Sequence, residues 1–69
     1  MSSPQSLSGA QPPRKVAEYD SVAAYRAAQG VLALDAEQQF KPGDKLIVLE
    51  ANGQQWTELW RGGVKVGTF

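Results

Sequence analysis

The chain has no cysteine and no histidine in its 69 residues, and these absences exclude a good deal of chemistry. Disulfide staples, thiolate zinc centres, cysteine nucleophiles and every histidine-dependent acid, base or metal arrangement fall away together. No stretch approaches the roughly 18 consecutive apolar residues of a membrane span, and the N-terminus lacks a basic segment followed by an apolar one. Charge of one sign is also missing: seven basic residues balance seven acidic ones, whereas a nucleic-acid reader ordinarily carries a basic stripe. The expectation is a protein without metal or cofactor, with neither nucleic acid nor membrane as a partner, and cytoplasmic by default.

What is present fits one small folded domain. Hydrophobic residues make up 42% of the chain and charged ones 20%, the balance of an ordinary globular protein rather than a disordered one. A chain this short buries only about 60% of the surface its unfolded form exposes, so its core must be efficient or borrow burial from a partner. Composition changes near residue 14. Residues 1–13, MSSPQSLSGAQPP, are rich in Ser, Gln, Pro and Gly and hold too few large apolar groups to offset ordering entropy. They read as a flexible, disordered tail before a domain spanning 14–69. The alternative for the tail's end is a docking arm, since Pro12-Pro13-Arg14-Lys15 suits an extended polyproline conformation.

Local signals then divide the domain. Asp20 or Ser21 is a good helix N-cap, VAAYRAAQ follows, and Gly30 is a natural stop, which predicts one short helix over residues 21–29. The remainder reads as β. VLALDA (residues 31–36) begins with an apolar run, and Phe40-Lys41-Pro42-Gly43-Asp44 is a turn. KLIVLEA (45–51) is apolar on both parities, the mark of a central strand. Asn52-Gly53 is a strong hairpin signal. QQWTELWR, Gly62-Gly63 and VKVGTF then complete a three-strand antiparallel meander. Alternation places Trp56, Glu58 and Trp60 on one face, two indoles around a carboxylate, and Thr57, Leu59 and Arg61 on the other. Such a sheet must curl into a barrel or be covered by a helix or partner. Trp60, beside a turn, is expected to cover a barrel end.

FKPGDKLIVLEA, Trp56, a glycine hairpin and the closing VKVGTF together resemble the SH3 domain pattern, and AEYDS (17–21) resembles that family's opening A-L-Y-D-Y element. The resemblance implies a mainly β fold, a small SH3-like antiparallel barrel or sheet, with Phe40, Leu46, Val48, Leu59 and Phe69 at core positions. It also implies a non-enzymatic protein–protein interaction module that binds an extended, proline-containing peptide through Tyr19 and Trp56, with Asp35 and Glu37 as acidic partners for an arginine on the ligand. The sequence departs from the family in four ways. The nineteen residues between Asp20 and Phe40 are more than the family places there, which implies an insertion holding the helix-prone segment; Ser21 replaces the second tyrosine; Gln38 stands at an apolar core position; and the P-x-x-Y-V segment is not in the sequence. The strand that closes the family's barrel is therefore expected to come from that insert or from another molecule.

The carboxylates Asp35, Glu37, Asp44, Glu50 and Glu58 are scattered among turns and strands, with no spacing that enforces a catalytic pair. The glycines do not form a phosphate-cradling loop before a helix. An enzyme is not expected. The second functional expectation is a structural subunit of a larger assembly, a virion or a multisubunit complex. Its sheet would be completed by neighbouring chains, with oligomer or assembly contacts through the C-terminal strand.

Overall fold

A computed structural model describes residues 12–69. Its elements, in chain order, are β1 (Arg14–Tyr19), α1 (Val22–Gln29), α2 (Leu34–Gln39), β2 (Lys45–Ala51), β3 (Gln54–Arg61) and β4 (Val64–Thr68). The four strands form one antiparallel sheet in the order β1-β2-β3-β4, so the protein is mainly β. The expected tail falls mostly on residues 1–11, outside the described residues. Pro12 and Pro13 have no regular structure, and Arg14 and Lys15, read above as part of a docking arm, already belong to β1.

The turns follow from residue chemistry. Asn52 and Gly53 have φ of 54° and 78°, the paired left-handed geometry whose twist matches a two-residue hairpin. Lys41 to Asp44 closes with an Asp44 N–H donation to the Lys41 carbonyl at 3.0 Å. There Pro42 presets one dihedral and Gly43, at φ 93°, takes the left-handed position of a type II turn. Helix α1 starts where expected: the Ser21 hydroxyl accepts from the Ala24 N–H at 3.0 Å, and the Gly30 N–H closes the last turn on the Arg26 carbonyl.

Both helices cover one face of the sheet. Leu46, Val48 and Leu59 from the strands pack with Tyr25, Leu32 and Ala36 from the helical segment, and Ala17, Tyr19, Val22, Phe40 and Phe69 close around them. All five core positions named from the sequence contribute: Leu46, Val48 and Leu59 are buried, and Phe40 and Phe69 are half-buried against them. The Tyr25 hydroxyl meets the Thr57 hydroxyl at 2.8 Å within this core, which satisfies two polar groups that would otherwise be costly to bury.

Two features differ from the expectations. Residues 31–36 do not form a strand; Leu34–Gln39 is a second helix. Leu32, Ala36 and Phe40 lie four apart and all turn toward the core, while Val31 and Leu34 are 92% and 64% exposed, a helical rather than an alternating pattern. The sheet also has a fourth strand, β1, paired with β2 from Tyr19↔Leu46 to Arg14↔Glu50, with a bulge at Val16. It is open, with β1 and β4 as its edges. The segment between β1 and β2 adds no strand and serves instead as the helical cover.

Candidate functional site

The face of the sheet away from the helices holds the most developed side-chain arrangement. Directly paired residues share a face, so register places Glu18, Ile47, Glu58 and Thr68 in one row. Lys15, Leu49 and Trp56 form a second row, and Lys45, Trp60 and Lys65 a third. At the centre is Glu58, only 7% exposed. Trp56 donates its Nε1–H to Glu58 Oε2 at 2.9 Å, and Trp60 donates its own to Oε1 at 3.0 Å. The Lys65 ammonium lies 3.5 Å from Oε2.

One carboxylate thus orients two indoles. Burial works against its charged form, but the two indole donors and Lys65 outweigh burial and hold the Glu58 carboxyl below its ordinary range. Because both indole N–H groups are committed to Glu58, the two half-buried rings are held in place. Ile47 and Leu49, half-buried, supply aliphatic surface beside them. No described helix covers this side.

The polar support of the opposite face is separate. Arg61 grips Asp44 with two donations, Nε to Oδ1 at 2.9 Å and Nη2 to Oδ2 at 2.7 Å, and also donates to the Gln39 carbonyl at 2.9 Å. Asp44 is 1% exposed and further accepts from the Lys41 N–H. Hydrogen bonding to Arg61 is the main reason its carboxyl lies below the ordinary range; burial opposes that shift and the Lys41 N–H reinforces it. This cluster ties the end of α2 and the following turn to β3.

The residues expected to line a peptide groove are divided between these faces. Tyr19 shares the Leu46 and Leu59 row on the helical side. Its ring meets Tyr25 edge to face at 5.4 Å, and its hydroxyl accepts from the Gln29 amide at 2.9 Å. Trp56 belongs by register to the open face, where its indole is bonded to Glu58. Asp35 and Glu37 sit in the first turn of α2; Glu37 pairs with Arg26, and Asp35 is exposed. Trp60, expected over a barrel end, lies beside Glu58 instead. Strand parity carried the signal for Trp56, Glu58 and Trp60; Lys45 and Lys65 were not singled out, because their place beside Trp60 depends on cross-strand register.

A cleft of about 240 Å³, bordered by Tyr25, Gln29, Val48, Gln55, Trp56, Thr57 and Phe69, opens where the helical side meets β3. It is below the roughly 300–1,000 Å³ of typical small-molecule pockets. No grouping of side chains suited to a metal ion occurs among the described residues. Among the described residues no helix is long and apolar enough to cross a membrane. Comparison of the chain with protein-family models, with curated proteins and with solved structures finds no match.

Proposed function

We propose that this chain is a non-enzymatic protein-interaction module that takes an extended, proline-containing peptide across its open sheet face, on Trp56 and Trp60. The observation that carries this reading is the convergence of both indole N–H groups on Glu58. Polyproline segments are already ordered and project apolar ridges, so rings held in place beforehand bury them at little entropic cost. A cytoplasmic location belongs to the same proposal; with no cysteine, folding does not call for an oxidising compartment.

The test separates the two faces. Titration with a proline-rich peptide, followed by tryptophan fluorescence, is expected to saturate. Trp60→Leu should weaken binding roughly tenfold or more, the loss expected of an aromatic anchor, while Tyr19→Phe should leave it unchanged. Binding that depends on Tyr19 but not on Trp60 would move the site to the helical side and defeat this reading.

A second reading, a structural subunit completed by neighbouring chains, draws on the β4 edge. Val64 and Val66 there are 64% and 40% exposed, and the strand has no partner on its outer side among the described residues. The β1 edge carries Arg14, Lys15 and Glu18, more of the charges that discourage strand pairing than the single Lys65 of β4. Light scattering coupled to size exclusion distinguishes the readings: a monomer at micromolar concentration speaks for the module, and a concentration-dependent oligomer lost on Val66→Lys speaks for the subunit.

A further inference from the structure

We infer that the open face selects peptides that carry acidic residues beside the segment stacked on the indoles, an inference that rests on the peptide-binding reading above. Its basis is the row Lys45↔Trp60↔Lys65, which brackets one flat ring with an ammonium on each neighbouring strand. The charges facing this surface come from all four strands. On β1, Glu18 is bonded to Lys15 at 2.7 Å and also feels the charge of Lys45, so this face carries three lysines against Glu18 and the buried Glu58. On β3, Glu58 is buried and already holds both indoles. On β2, Lys45 is exposed and forms no ion pair among the described residues; on β4, the Lys65 side chain is about half exposed and touches Glu58 only at the limit of contact. The arginines do not alter this balance: Arg61 is taken up by Asp44 and Arg14 by Glu50.

The accessible charge around Trp60 is therefore positive. The acidic residues that the sequence offered for a basic ligand, Asp35 and Glu37, belong to α2 in the helical layer, away from this face. A ligand arginine would meet Lys45 and Lys65 instead and be repelled. A carboxylate placed one or two residues from the stacked proline would meet those ammoniums, so charge complementarity reverses the ligand sign implied by the SH3 resemblance.

The experiment uses the full chain and three synthetic peptides with one proline-rich centre and acidic, neutral or basic flanks, each titrated by tryptophan fluorescence at low and at raised salt. The acidic peptide is expected to bind about fivefold to tenfold more tightly than the neutral one, as two exposed ion pairs allow. The basic peptide should be the weakest, and the spread should shrink as salt screens the charges. Lys45→Gln should reduce the acidic preference, taken as the ratio of the acidic to the neutral peptide's affinity, to about twofold to threefold. Equal binding of all three peptides would overturn the inference and leave the peptide-binding reading standing, as would a preference indifferent to Lys45→Gln. No binding by any of them would overturn both.

Discussion

At the scale of single residues, Glu58 is the decisive position. Replacing it by Gln keeps the size but not the bonding: a carboxylate accepts from both indoles, whereas a carboxamide offers one acceptor oxygen and turns donor hydrogens toward the other ring. One indole must lose its partner. Glu58→Gln is expected to destabilise the fold by about 1–3 kcal/mol, the range for a broken hydrogen bond to a charged group, and to red-shift tryptophan emission as a ring is freed to solvent. An unchanged emission maximum and melting temperature would show that the carboxylate does not hold the rings. The sequence made this cluster legible because parity along one strand is local information. The division of Tyr19 from Trp56 was not legible, because it depends on the pairings Tyr19↔Leu46↔Leu59 across three strands, which the residues around Tyr19 do not encode.

At the scale of elements, the turns were the most readable feature and the second helix the least. Asn-Gly, Gly-Gly and Lys-Pro-Gly-Asp each demand a particular backbone geometry, so β2, β3 and β4 appear where their turns imply. Helix α2 has no such marker: its N-cap is Ala33, which makes no side-chain cap bond, so only the spacing of Leu32, Ala36 and Phe40 betrays it. Strand β1 was obscured by the bulge at Val16, which interrupts its alternation. Gly53→Ala tests the hairpin. A Cβ there meets no atom within 4 Å, so any loss reflects the left-handed φ alone, and about 1–2 kcal/mol is expected by chemical denaturation. For α2 the critical tie is Arg61. Arg61→Lys keeps the charge but cannot reproduce the fork on Asp44 together with the bond to the Gln39 carbonyl. Amide hydrogen exchange is expected to rise through residues 36–44 in this variant while β2 and β3 stay protected; uniform exchange across the sheet would show that the tie is global instead.

At the scale of the whole molecule, a small core leaves little reserve, and pH exposes it. Three carboxyls lie below their ordinary range: Glu18, through Lys15; Asp44, chiefly through Arg61; and Glu58, where its hydrogen-bond donors overcome burial. In each case the folded pKa is depressed, so the stabilising contribution is fully present above the ordinary carboxylate value of about 4 and is lost as pH falls through the lower folded value. The unfolded chain binds the extra protons, and stability falls with acidification in that window. Total stability for a domain of this size is only about 3–10 kcal/mol. Melting temperature should therefore be nearly flat from pH 7 to 5 and drop steeply below about pH 4.5. Leu46→Ala, which removes a fully buried side chain from the centre of the core, costs about 2–5 kcal/mol and should move the acid transition to higher pH, because less stability must be titrated away before the chain unfolds. Glu58→Gln lowers stability at neutral pH as well but deletes one of the titrating groups, so its acid profile should be shallower than that of Leu46→Ala at matched stability. Parallel profiles for the two variants would mean that Glu58 is not among the groups whose protonation drives acid unfolding.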